Sequence, residues 1–222
     1  LMATATMKLD EFSKIGKVVR AELDPETILV ANVGDFDYQG GLALKEAGFA
    51  GIYHAVRLGE GQVTRLEVKE RLATFRAAKE AGLKLGTCLE PVGPEHTIEE
   101  LIEKTLILRE AKPVFGGSAR RIPIPDTALA SYGITSEARM ALILGVVRLA
   151  MGKEIPGNCT HEPNVHGAVV GASLLWAEAG PNPRDTVEQT ETSRGFDVTK
   201  CRTIFQEAEW PILDGPSRFF GN

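Results

Sequence analysis

A parallel β-sheet wrapped by helices, an α/β protein, is the fold class that the sequence predicts, and three observations carry the prediction. Short apolar runs of strand length alternate almost throughout with amphipathic stretches of helix length, the pattern of repeated βα units. Strand after strand ends in polar residues, as happens where the C-terminal ends of a parallel sheet face a ligand. Hydrophobic residues make up 43% of the 222 residues, enough for one large core, with no repeat, low-complexity tract or evident linker.

The elements follow in order. Residues 3–6 form the end of a short strand. Residues 10–23 read as a helix, because Phe12, Ile15, Val18, Val19 and Leu23 recur at helical spacing. Residues 27–37 (TILVANVGDFD) are a buried strand, and Leu42, Leu44 and Ala47 mark a short helix stopping at the C′ glycine Gly48. Residues 51–56 are the next strand, and 67–82 the clearest helix, with Val68, Leu72, Phe75 and Ala78 inward. Residues 84–93 make a strand and its loop. Thr97 and Glu100 have capping-box spacing at the start of a helix to about Glu110. Prolines restrict 113–125 to a strand, and 136–151 is a strongly apolar helix. The last third is read as a polar loop from Gly157, a small-residue stretch 167–172, a strand 173–179 and a helix 198–208. Pattern alone leaves a closed barrel and an open doubly wound sheet both standing.

Composition excludes several classes. The 25 basic and 30 acidic residues give a net charge of −5, and no basic stripe for a nucleic-acid backbone is present. No apolar run approaches the ~18 residues of a membrane span, and the first residues are too short for a signal-peptide core. Three cysteines without metal-type spacing argue against a disulfide scaffold and predict a reducing, cytoplasmic setting. The chain begins at Leu1 rather than a methionine, so it is expected to be part of a longer protein.

The strand-end residues are the candidate site. They are Thr4 and Thr6; Asn32, Asp35 and Asp37; His54, Arg57 and Glu60; Glu90, Glu95 and His96; then Arg120 and Arg121. The late loop adds Cys159, Thr160, His161, Glu162, Asn164 and His166, and the following strand adds Glu178, Asn182 and Arg184. Any one of them is also what a solvated loop or a helix cap would supply. As a set they form a mixed-charge mouth suited to a small zwitterion, whose carboxylate takes arginine and whose ammonium takes glutamate. Cys159, His161 and Glu162 lie too close along the chain to wrap one metal ion, and Cys88, Cys201, Trp176 and Trp210 read as core. There is neither a G-x-S-x-G elbow nor a G-x-G-x-x-G phosphate loop. The sequence thus holds ligand-binding groups and no self-sufficient reactive group.

LMATATM, ILVANVGDFD, GIYHAVRLGEG and KERLATFRAAKEAGLKLGTCLEPVGPEH together resemble a biotin-synthase-type radical SAM protein, along essentially all 222 residues. GASLLWAEAGPNPRD is similar to that family's C-terminal biotin-and-thiamin-synthesis-associated (BATS) region. ANVGDFDY, YHAVRLGEG, GTCLEPVGPEHT, CTHEPN and WAEAGPNPRDT look most like the radical SAM maturases of the [Fe]-hydrogenase iron-guanylylpyridinol cofactor. The resemblance implies a (βα)6-type partial TIM barrel, entered at about the second strand, over residues 1–128. Residues 129–222 would be a BATS-like region completing it.

It further implies a [4Fe–4S] cluster and S-adenosylmethionine (SAM), an electron donor such as a ferredoxin or flavodoxin, and a small-molecule substrate. The cluster cysteines are expected upstream of Leu1, with none of the metal ligands in this chain. Ala55 and Arg57 replace the polar pair of biotin synthase, which argues against its substrate. By the same resemblance Arg71 pairs with the SAM carboxylate, with Glu60 assisting. Thr4, Thr6 and Asn32 line the ribose and methionine wall, while Glu90 and Pro91 approach the adenine. Substrate would meet His54, Arg57, Arg121, His161, Glu162, Asn164 and Glu178, and an open barrel seam would favour a homodimer. Two other readings stand beside this one: an amino-acid-rearranging relative of the methylornithine-synthase type, and a cluster-free small-molecule-binding barrel.

Overall fold

The computed structural model describes residues 1–3, 6–161, 165–177 and 196–220. Its sheet is entirely parallel, with order β1-β2-β3-β5-β6-β7 and β4 paired to β5. The strands are β1 (Val30–Ala31), β2 (Gly51–Tyr53), β3 (Lys84–Gly86), β4 (Leu89–Val92), β5 (Phe115–Arg120), β6 (Gly157–Thr160) and β7 (Leu174–Leu175). Between and beside them run α1 (Leu9–Glu22), α2 (Tyr38–Glu46), α3 (Val68–Glu80), α4 (Ile98–Ala111), α5 (Glu137–Met151), α6 (Val165–Val169) and α7 (Val198–Glu207). A parallel sheet cannot turn back within a hairpin, so neighbouring strands are joined by crossovers that lay helices on one face; β3 alone runs on into β4, in the same direction along β5. The result is a curled half-barrel, helices outside.

Local chemistry sets the helix ends. Thr97 accepts from the Glu100 amide while the Glu100 carboxylate accepts from the Thr97 amide, the reciprocal cap read from the sequence. Asp37 and Ser136 cap α2 and α5 in the same way with one bond each. Gly48 takes φ +93° just past α2, where a side chain would be strained.

Period-two alternation sorts the strand residues between two faces. Outward residues Ala31, Ile52 and Leu85 pack with Phe12, Leu44, Phe49 and Phe75 beneath α1–α3. Leu89 and Val92 pack with Leu108, Met140, Val147 and Met151 beneath α4 and α5. Inward residues Val30, Tyr53, Phe115, Cys159 and Leu174, with Cys88, form a third cluster on the concave face. Phe219 and Phe220 close its base: they pack with Ile28, Ala50 and Val114 at the N-terminal ends of the strands, and Phe220 meets the Phe115 ring at 5.9 Å.

Three expectations change. The segment from Gly157 is a fully buried strand rather than a polar loop, because its Gly-Asn-Cys-Thr pairs in register with β5 and β7. The long strand expected over 27–37 keeps regular pairing only at Val30–Ala31. Its outer neighbour is residues 1–3, joined through Ala3 N–H to Asn32 O at 3.0 Å. Trp176 and Trp210, expected in the core, are half-exposed, 41% and 48%. Trp176 lays its ring edge on Tyr53 and Phe115, and Trp210 donates to the Ala168 carbonyl at 2.9 Å.

Candidate functional site

The C-terminal ends of the strands carry two polar clusters, one on each face of the sheet. The outer one is built on α3. Arg71, buried on that helix, donates from Nε and Nη2 to Glu60 Oε1 at 3.1 and 3.0 Å and from Nη1 to Asp35 Oδ2 at 3.1 Å. His54 Nε2 lies 2.9 Å from Asp35 Oδ1, and Thr74 Oγ1 donates to the same oxygen at 3.0 Å. The His54 ring packs edge-on against Phe75, on the helix side of the sheet.

Burial raises the Asp35 carboxyl, but His54, by hydrogen bond and charge, then Arg71 and the Thr74 hydroxyl, outweigh it and leave a pKa of about 2. The cluster is closed: two carboxylates, one guanidinium and one imidazole already satisfy one another. Arg71, expected to pair with the SAM carboxylate, is buried and held by the protein carboxylates Glu60 and Asp35. His54, expected among the substrate contacts, faces α3 rather than the concave interior.

The inner cluster stands on β2 and β4. Tyr53 Oη donates to Glu90 Oε2 at 2.6 Å, and Arg57 Nε lies 3.3 Å from Glu90 Oε1. Arg57 also reaches the outer cluster through its amide, which donates to Glu60 Oε2 at 3.0 Å. Its guanidinium also lies 4.0 Å from Glu60 Oε1, and its side chain, 36% exposed, is far more open than those of Arg71, Arg120 and Arg121, at 6%, 14% and 11%. Burial, Cys88 and Glu90 push the Tyr53 phenol well above its ordinary value, so it is a hydrogen-bond donor at neutral pH. Pro91 follows Glu90 through a cis peptide, and the Glu90 carbonyl accepts from the Leu58 amide at 2.8 Å, tying the β2 loop to β4.

The other predicted residues separate. Arg121 is engaged by both oxygens of Glu95 and by the Leu129 carbonyl, and this hydrogen bonding holds the Glu95 carboxyl below its usual range. Arg120 donates to the Thr135 carbonyl and faces Glu137 at 3.6 Å. Asn32 sits at the edge, bridged to Met2, and Thr6 lies in the turn before α1. Alternation along β6 puts His161 on the same face as Cys159, and its ring stacks on Phe196 at 6.1 Å. Thr4, Glu162, Asn164 and Glu178 lie outside the described residues.

Sequence reading missed Tyr53, Thr74 and the meeting of Cys88 with Cys159, whose sulfurs are 2.7 Å apart on the concave face. The repeated Gly-x-Cys of residues 86–88 and 157–159 was the available signal: period two puts each cysteine on the same face as its glycine. Two surface depressions measure about 760 and 470 Å³; the first lies away from both clusters, and the second borders the outer one at Asp35. One is at the C-terminal ends of α4 and α5, the other outside α2 and α3. Among the described residues no group of three His, Cys, Asp or Glu is placed to hold a metal ion, and no helix is long and apolar enough to cross a membrane. The cysteines described here therefore do not fit a three-thiolate cluster loop.

Neither a protein-family model nor a curated protein sequence matches the chain. Solved structures do. Methylornithine synthase (PylB) superposes over 98% of this chain and 69% of its own, with TM-score 0.70 and 16% identity. The FeFe-hydrogenase maturase HydG from Carboxydothermus hydrogenoformans gives 0.68 at 16% identity, over 95% of this chain. The chain spans about half, 53%, of that maturase. The carboxyl transferase domain of Rhizobium etli pyruvate carboxylase follows at 0.53 and 12%, over 97% of this chain and 42% of its own. At such identities the likeness establishes the fold alone: the chain has the parallel-stranded partial barrel of methylornithine synthase and HydG.

Proposed function

We propose that the chain forms the ligand-holding half-barrel of a radical SAM enzyme acting on a small anionic or zwitterionic substrate. The motif resemblance narrows this to maturation of the iron-guanylylpyridinol cofactor of [Fe]-hydrogenase. One observation carries the proposal: the rim residue with an open guanidinium, Arg57, stands beside Glu90 and Tyr53 at the concave edge of a half-barrel of this class. A [4Fe–4S] cluster with bound SAM supplies the radical in such enzymes, with ferredoxin or flavodoxin as the proposed electron donor. This chain's part is to bind and orient. Arg57 takes an incoming carboxylate, because an exposed ion pair exchanges one carboxylate for another at little cost. Glu90, released from Arg57, is then free to receive an ammonium while Tyr53 fixes its other oxygen. Arg71 positions Glu60, whose Oε2 holds the Arg57 amide, so its role in binding is indirect.

The mixed charge of Arg57 and Glu90 favours one further reading, an enzyme that rearranges an amino acid. Anaerobic iron–sulfur reconstitution of the full-length gene product, then reduction with SAM, tests the class. Formation of 5′-deoxyadenosine is expected; no cluster and no cleavage would leave a small-molecule-binding barrel. Stimulation of that cleavage by pyridinol precursors, against stimulation by α-amino acids, separates the two substrate readings.

A further inference from the structure

We infer that Cys88 and Cys159 form a redox-active dithiol inside the half-barrel, closing reversibly to a disulfide that staples the β3–β4 connection to β6. The two cysteines are not neighbours in the sheet. Cys159 pairs in register with Gly117 of β5, and Leu89, next to Cys88, pairs with Ser118, so Gly117 lies between the two cysteines. Only glycine fits there: a Cβ would stand 1.9 Å from the Cys159 carbonyl oxygen, at φ +146°, and would push the Cys159 backbone away. Over this gap the sulfurs approach to 2.7 Å, closer than two unbonded thiols rest, on strands whose curl turns both side chains inward. Tyr53 and Phe115 pack in one cluster with the pair, and Trp176 sets its ring edge on both of them. The third cysteine, Cys201, is differently placed: its thiol faces the Trp176 carbonyl at 3.6 Å and meets no second sulfur.

Closure by a peroxide balances simply. One sulfur, as thiolate, attacks a peroxide oxygen and becomes a sulfenic acid, and the leaving hydroxide takes a proton to form water. The second sulfur attacks the first, the S–S bond forms, and the sulfenic oxygen leaves as a second water carrying the remaining thiol proton. Two thiols and one hydrogen peroxide give one disulfide and two waters. Burial, Cys159 and Glu90 push the Cys88 thiol well above its ordinary value, so Cys88 rests as a thiol at neutral pH, and a small uncharged oxidant is the suitable probe for so buried a pair. The staple would sit directly beneath the Tyr53–Glu90 hydrogen bond, and so would set the depth of the concave face.

The test treats the folded full-length protein with hydrogen peroxide, alkylates it in denaturant and maps tryptic peptides without reductant. The expected result is fragment 85–104 joined to fragment 154–184, about 2 Da lighter than the two free peptides, and separated by dithiothreitol. Cys201→Ser should leave the joined species intact, whereas Cys88→Ser and Cys159→Ser should each abolish it. The inference is overturned if Cys88 and Cys159 are both alkylated after oxidation, if they carry only sulfinic or sulfonic acids, or if either is joined to Cys201. Should a serine variant fail to fold, the wild-type peptide map decides alone.

Discussion

Arg71 and Arg57 both reach Glu60, yet only Arg57 keeps a side chain open to solvent. Arg71 is held by Glu60 and Asp35, and the Glu60 side chain is itself only 2% exposed. Arg57 shares Glu90 with Tyr53 at a solvent-facing edge. Coulomb attraction is similar in kind at both places; the surroundings differ. In the outer cluster, removing one partner leaves a charge in a poor solvent, so the cluster is rigid and its members are committed. At the inner edge water competes for each partner, so the pair is weak and easily exchanged. A resident arginine that is fully satisfied supports the site, and one that is half-satisfied binds for it.

The largest effect that would break this comparison is Arg71→Met. It strands Glu60 and Asp35, and the loss should be about 3–5 kcal/mol in urea unfolding. A loss below about 1 kcal/mol would put the two arginines on an equal footing. Next is Arg57→Gln, expected to leave stability within about 1 kcal/mol while raising the KM of an anionic substrate about tenfold. The reverse pattern, stability lost and KM kept, would exchange the roles of the two clusters.

Acid sharpens the contrast. With its folded-state pKa at about 2, below the ordinary 3.8, Asp35 contributes stability that is fully present above about pH 4 and disappears as pH falls toward 2. Urea midpoints measured down that range should drop, and Asp35→Asn should flatten the drop. Smallest is Tyr53→Phe, which removes one hydrogen bond to Glu90 and should cost about 1 kcal/mol without altering the acid limb.

Much of the scaffold was legible because it is written in short-range chemistry. Thr97 with Glu100, Gly48 and the inward stripe of α3 each announce themselves within a few residues. The partial barrel itself was legible only through motif resemblance, since alternation of strand and helix suits open and closed sheets alike. The site was legible in its residue types and not in its partners. That His54 turns to α3 depends on Asp35 and Arg71, nineteen and seventeen residues away along the chain, which no local pattern encodes. Gly157–Thr160 read as a loop because Gly and Asn are poor strand formers, and full burial between β5 and β7 overrides that preference. The cysteine pair needed the curl of the sheet, since in a flat sheet side chains two strands apart do not meet.

The two phenylalanines at the base of the concave face bear on kinetics. Phe219 and Phe220 cover the N-terminal end of the interior, so a small molecule that enters by the C-terminal rim has no exit at the base. Two ligands sharing such a vessel must queue: the one seated deeper arrives first and departs last. Steady-state behaviour would then be ordered rather than random, and an inert analogue lodged at the rim would trap its deeper companion instead of displacing it.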